Sequence, residues 1–241
     1  MAETVVALLF AHVFADFLLQ SGKMVREKRR PLVLLAHVAI VAGLSWLALG
    51  LPAAPPPILL VAGSHLVIDW LKLRFGGPGI GAFLLDQTAH LAMIALAAAL
   101  FPGAYAAGLW AHPAVAALPG AALLPQAMLL AAAVVGAVWA GGYAVACLML
   151  GLSIPPDPAE DPSLPQGGRM IGQLERLIIL VLVLLGETIG IGFLITAKSI
   201  LRFGEVQRSR QIAEYVIIGT LASFAWALVV AIAAARLLTS L

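Results

Sequence analysis

Residues 65–90 read HLVIDWLKLRFGGPGIGAFLLDQTAH, in a chain otherwise dominated by Leu, Ala, Val and Ile. An apolar run enters with His65 and Asp69 four positions apart and turns through Lys72, Arg74 and a glycine-rich loop. It leaves with Asp86 and His90 at the same spacing. Four residues make nearly one helical turn, so the members of each pair share a helix face. The order within the pair inverts as the chain reverses direction. On two antiparallel helices this sets both aspartates at one depth and both histidines one turn, about 6 Å, deeper. Ionisable groups inside apolar helices are costly, and their default reading is a functional site.

The rest of the composition fixes the class. Hydrophobic residues fill 62% of the 241 positions and charged residues 11%, with a mean hydropathy of +1.04. A soluble domain carries about twice that charged fraction and about 45–50% apolar residues. The expectation is therefore an all-α polytopic membrane bundle of about six to eight transmembrane or re-entrant helices. The formal charge of +2 says little, because the placement of Lys and Arg around the spans matters more than their sum. Nucleic acid is not an expected partner. The single cysteine, Cys147, excludes an internal disulfide and any cysteine cluster for metal. The first apolar run carries His12, Asp16 and Gln20 without a basic leader, so it reads as a retained span.

Working outward, residues 4–20 form a first span ending at the basic cluster SGKMVREKRR, residues 21–30. Lys23, Arg26, Lys28, Arg29 and Arg30 make this the densest positive charge in the chain, which places it in the cytoplasm and the N-terminus outside. Further spans are expected at 31–50, 58–75, 81–101 and 124–150, with Pro31 suited to a first helical turn. The linker LPAAPPP would lie outside, and 102–123 reads as an external region. The clearest boundary is SIPPDPAEDPSLPQGGR, where Asp157, Glu160 and Asp161 read as solvated. The expected organisation is thus 1–105 as a four-helix bundle, 106–150 as an external region and fifth span, 151–170 as a proline-rich loop, and 171–241 as C-terminal membrane helices. In that last part, span counting puts 198–211 outside, yet Lys198, Arg202, Arg208 and Arg210 argue for inside. Either 102–123 hides a crossing, or Gly186, Gly190 and Gly192 break 171–197 into a re-entrant pair.

Span one repeats the polar motif with His12, Asp16 and Gln20, and span two adds His37 about two turns in. An upper layer of Asp16, Asp69 and Asp86 is expected over His12, His37, His65 and His90, with Gln20 and Gln87 at the rim. Imidazole with carboxylate, and no thiolate, is ligand chemistry for a divalent metal: zinc first, iron or manganese next. Buried His–Asp pairs that satisfy one another and lock the bundle are the competing reading. No HExxH is present, and Ser64 beside His65 points away from it on a helix. Arg169 and Arg176 read as interfacial anchors, whereas Glu187, midway along an apolar run, needs a partner or a water-filled cavity.

The runs AHVFADFLLQ, LLAHVAI, HLVIDWLK and FLLDQTAH resemble the bacterial membrane family catalogued as domain of unknown function 3307, over roughly residues 5–105. The later GRMIGQLER and GFLITAKSILRF…AEYVIIGTLASF resemble longer members of that group. The resemblance implies a fold and no established activity. A looser similarity to membrane-bound metal-dependent hydrolases, which also set His and Asp in short apolar helices, is analogy.

The functional expectation is a metal-dependent hydrolase of the bacterial inner membrane, acting at the cytoplasmic leaflet on a lipid-linked or amphiphilic substrate. His12, His37, His65 and His90 would hold the metal, and Asp16, Asp69 and Asp86 would ligate it or act as general base. Gln20, Gln87, Lys72, Arg74, Arg169 and Glu187 would support the site or meet the substrate. Membrane lipid is the expected partner, and self-association into a homo-oligomer is allowed. The alternatives are a cation or proton transporter using the same site, and a structural scaffold. The orientation is testable: in a Cys147→Ser background, a cysteine at Ala54 should be labelled from outside and one at Ser21 only after permeabilisation. External labelling at Ser21 would invert the assignment.

Overall fold

The computed structural model describes residues 1–152, 164, 166–201 and 210–241. Asp157, Glu160 and Asp161, and the basic residues Arg202 and Arg208, lie outside the described residues. The fold is all-α, with no strand among the described residues. Among the described residues, five runs are long and apolar enough to cross a membrane: Ala2–Leu19, Pro31–Ala48, Ile80–Leu100, Ala121–Met149 and Arg210–Leu238. The helix Pro56–Phe75 is twenty residues long, about 30 Å, with its apolar run interrupted by Ser64, His65, Asp69 and Lys72.

The described residues divide into two compact units: Met1–Gly77 with Gly81–Val135 and Arg236–Leu241, and Pro78–Ile80 with Gly136–Ala235. In the first unit, α1 (Ala2–Phe14) runs on into a π-helical turn, Ala15–Leu19. Next comes a short α2 (Gly22–Glu27), capped by the Ser21 hydroxyl accepting from the Met24 amide. Then follow α3 (Pro31–Ala48), α4 (Pro56–Phe75), α5 (Ile80–Leu100) and, after short helical turns, α6 (Leu124–Val135). Pro31 and Pro56 open their helices, where a missing N–H costs nothing. Helix α1 is the centre, packed on α3 and α6, and α3 packs on α4. Val6, Ala7, Leu8 and Ala11 of α1 meet Val41, Ile58, Val61, Ile94 and Ala97 in a dry core. Beyond that core, the Thr4 hydroxyl donates to the Pro102 carbonyl at 3.0 Å and accepts from the Tyr105 amide.

The second unit contains α7 (Gly141–Met149), preceded by a second π turn at Gly136–Ala140, and then α8 (Gly167–Leu184), α9 (Thr188–Leu201) and α10 (Arg210–Leu238). Helix α8 ends in a Schellman motif. The Gly186 amide donates to Val183 and the Glu187 amide to Leu182, with Gly186 at φ +78°. The run 171–197 is thus two helices, and Glu187 is an exposed residue of the turn between them rather than a mid-span carboxylate. A left-handed glycine with this bonding stops a helix however apolar the flanking sequence. At fourteen residues α9 is about 21 Å long, short of a roughly 30 Å hydrocarbon core. It packs back on α8, bringing Lys198 Nζ within 2.6 Å of Glu175 Oε2.

Arg176 corrects a second expectation. It is buried rather than interfacial, donating from Nη1 to Ser223 Oγ at 3.0 Å and from Nη2 to the Val138 carbonyl at 2.9 Å. The π turn supplies the Val138 acceptor, and its widened ladder also leaves the Gly136 carbonyl to accept from the Trp226 indole at 2.8 Å. Gly141 lets these side chains approach: a Cβ there would stand 2.6 Å from Trp226 Cδ1 and 2.9 Å from Arg176 Cδ. Gly141→Ala should therefore lower the melting temperature in detergent, at a cost of about 1–3 kcal/mol. Gly63→Ala, with nothing within 4 Å of its Cβ, should leave it within error or slightly raised.

Candidate metal centre

Four helices bring the seven His and Asp side chains into one cluster. Asp16 lies in the π turn, where the backbone advances less per residue and the carboxylate is re-aimed from the line of α1. Its Oδ1 reaches His37 Nε2 on α3 at 3.2 Å and His65 Nε2 on α4 at 3.4 Å. Those two imidazole nitrogens are 3.0 Å apart. Asp69, one turn along α4 from His65, sets Oδ2 3.4 Å from His65 Nε2 and 3.7 Å from His37 Nε2. Asp16 Oδ1 and Asp69 Oδ2 thus each close a triangle with the two imidazole nitrogens, and His37, His65 and Asp69 have ligand atoms close enough to share an ion. Both histidines and Asp69 are buried.

These distances bear on what the point can hold. A tetrahedral ion with ligands at 2.0–2.1 Å has ligand-to-ligand edges of about 3.3–3.4 Å. The five distances given run from 3.0 to 3.7 Å and bracket that value. The same contacts can also be made by protons, since each imidazole can place one N–H toward a carboxylate, and His37 Nδ1 is buried without a hydrogen-bond partner among the described residues. The donor set, all nitrogen and oxygen, suits zinc, iron or manganese.

A second layer surrounds this point. The His90 ring lies 4.1 Å from that of His65, and 5.0 Å from that of His12 in a stacked arrangement. His90 Nδ1 is 2.8 Å from the Asp86 main-chain carbonyl, which can only accept. Its proton is therefore on Nδ1, and the buried Nε2, without a hydrogen-bond partner among the described residues, presents a lone pair. Gln87 ties the two layers together. Its amide nitrogen donates to Asp86 Oδ2 at 3.1 Å and Asp16 Oδ2 at 3.5 Å, and its oxygen accepts from His12 Nε2 at 3.3 Å. Asp69, Asp86 and His90 also have ligand atoms close enough to share an ion, as do His12, Asp16 and His65.

Two ammonium groups cap the carboxylates. Lys72 Nζ lies 2.7 Å from Asp86 Oδ2, and Lys28 Nζ lies 2.7 Å from Asp69 Oδ2. Lys28 is the residue that sequence reasoning missed, since the cluster 21–30 was read for orientation alone. Lys28 ends α2, a six-residue helix without a buried side chain, and is itself buried. Its place one step past a capped helix was the available signal. Of the remaining candidates, Arg74 is exposed and Gln20 Nε2 is buried without a partner. Arg169 and Glu187 are exposed residues of the second unit.

A family model described as "Protein of unknown function (DUF3307)" matches residues 4–133, more than half of the chain. The chain belongs to this family. No curated protein and no solved structure matches it. The DUF3307 segment runs past the 5–105 expected from the polar motifs. The added residues include α6, which packs on α1 and carries no ionisable side chain. Every member of the cluster, from His12 to His90, lies inside the DUF3307 segment. Lys28 and Asp69 give a direct check on the geometry. Lys28→Met should strand a buried carboxylate and cost on the order of 3 kcal/mol in the metal-free protein. Combining it with Asp69→Asn should recover much of that loss in a double-mutant cycle.

Proposed function

We propose that this protein is a membrane-embedded, metal-dependent hydrolase that acts on a lipid-linked or amphiphilic substrate at the cytoplasmic leaflet of the bacterial inner membrane. The single observation that carries the metal reading is the approach of Asp16 Oδ1 and Asp69 Oδ2 to the paired His37 and His65 Nε2 atoms, five contacts of 3.0–3.7 Å near the edge length of a tetrahedral ion. A divalent ion there would supply Lewis acidity and, with one of the two carboxylates yielding its position to solvent, a water deprotonated near neutral pH. The chain's own groups divide the remaining work. Gln87 holds Asp16 and Asp86 in place, Asp86 orients His90, and His90 Nε2 offers a lone pair that can take a proton from water.

An enzyme is favoured over a transporter because the cluster is one-sided. Its carboxylates face the basic loop through Lys28 and Lys72, whereas the dry core of Leu8, Ala11, Val41, Ile58 and Val61 closes the opposite side. A transport path needs polar groups across the full thickness. Substrate reaching such a site would come laterally or from the basic-loop side, which suits a lipid head group.

Elemental analysis of protein purified without chelator should find zinc, iron or manganese bound, and His65→Ala should weaken binding at least about tenfold. Affinity should fall as pH is lowered, because protons compete for the imidazoles. In metal-loaded proteoliposomes, mass spectrometry should detect hydrolysed lipid that is absent with Asp69→Asn. Metal flux into the vesicles without lipid turnover would favour the transporter, and a metal-free wild type the scaffold.

A further inference from the structure

Lys28 and Lys72 make the two shortest contacts in the cluster, each 2.7 Å from a carboxylate oxygen. The oxygen that Lys28 holds, Asp69 Oδ2, is the same atom that faces His37 and His65. An ammonium therefore shares an oxygen with the point where a divalent ion would sit. Two cations on one oxygen repel across a few ångströms in a low-dielectric interior, so binding of the ion must turn Lys28 toward another anion.

The charge of the cluster says what that anion is. With neutral imidazoles, three carboxylates against two ammoniums leave one net negative charge, which a divalent ion converts to one net positive charge. Nothing else acidic within the cluster is available to offset it, because Asp16, Asp69 and Asp86 are all engaged. A buried net charge is costly unless it is paired. A metal-bound hydroxide would offset it in the resting centre; once that hydroxide is consumed in the reaction, the compensating charge must come with the substrate, on the side where Lys28 and Lys72 lie. Helix α2 is suited to such a movement. It buries no side chain and packs only on α3 among the larger helix contacts, so the Lys28–Asp69 pair is its main tie to the site.

We infer that the substrate is an amphiphile with a phosphate head group, and that Lys28 and Lys72 pass from Asp69 and Asp86 to that phosphate when the metal is bound. Lysine is a point-charge phosphate binder with three donors, and two ammoniums held on neighbouring carboxylates suit the oxygens of a phosphomonoester. A neutral head group would leave the positive charge uncompensated. This inference rests on the proposed metal centre and would give that centre its substrate class.

The test uses the full chain in maltoside micelles, with zinc chloride as the metal and dioleoyl phosphatidic acid as the probe. Dioleoylglycerol supplies the same tails without phosphate, and glycerol 3-phosphate the head group without tails. Zinc occupancy is read by elemental analysis and lipid binding by native mass spectrometry. The expected result is that zinc tightens phosphatidic acid binding at least about tenfold and leaves dioleoylglycerol unchanged. Glycerol 3-phosphate should compete weakly. Lys28→Gln or Lys72→Gln should abolish the zinc-dependent gain, Lys28→Arg should retain most of it, and Arg210→Gln, at an exposed position on α10, should not alter it. Zinc bound with no preference for phosphatidic acid over dioleoylglycerol would overturn the phosphate inference alone. So would a Lys28→Gln, Lys72→Gln double variant that is folded, zinc-loaded and binds as the wild type. No zinc bound at any concentration would overturn the metal centre and this inference together.

Discussion

Everything in the first unit depends on the approach of His37 Nε2 and His65 Nε2 to 3.0 Å, with a carboxylate oxygen of Asp16 and another of Asp69 beside them. In an apolar interior, none of these groups can be left without a partner except at a cost of kilocalories, and for the carboxylates several. The cluster therefore fixes the register of three helices at once. Sliding α3 by one residue would turn His37 about 100° away from α4, and the two nitrogens would no longer meet. The π turn belongs to the same constraint, because it re-aims Asp16 from α1 toward α3 and α4.

The second unit contains a different kind of polar knot. Arg176 meets neutral acceptors, Ser223 Oγ and the Val138 carbonyl, while Glu175 takes one ammonium, Lys198, which also lies 5.3 Å from the centre of the Phe224 ring. There each donor meets one acceptor, the Val138 carbonyl being freed by a π turn, although Arg176 Nε has no hydrogen-bond partner among the described residues. In the first unit, one carboxylate oxygen faces two imidazole nitrogens at once, which is the arrangement on which the proposed ligand site rests.

The sequence carried the first unit well because its signals were periodic. The four-residue spacing of His12 with Asp16, His65 with Asp69, and Asp86 with His90 puts each pair on one face, and the inversion between α4 and α5 matches their depth. Proline at N1 marked the start of α3, whereas α4 begins at Pro56, inside the stretch expected as linker. What could not be read arises from geometry that spacing does not encode. A π turn has no residue signature, so the aim of Asp16 and the free carbonyls that receive Arg176 and Trp226 were invisible. The Lys28–Asp69 contact joins residues 41 apart in the chain, and a lysine in a basic cluster looks like its neighbours until one is folded inward. The break near Glu187 was legible only as an alternative, from Gly186, Gly190 and Gly192; that Gly186 is the one that turns the chain rests on its positive φ.

The central claim is that the four donors from α1, α3 and α4 form one tetrahedral metal site. X-ray absorption at the zinc edge of zinc-loaded protein tests it most directly. The account predicts about four nitrogen or oxygen neighbours at about 2.0–2.1 Å, with outer-shell scattering from two imidazoles and no sulfur. The two-imidazole signal should fall to one in His37→Ala. A sulfur neighbour, six-fold oxygen coordination, or a spectrum unchanged by loss of His37 would contradict it.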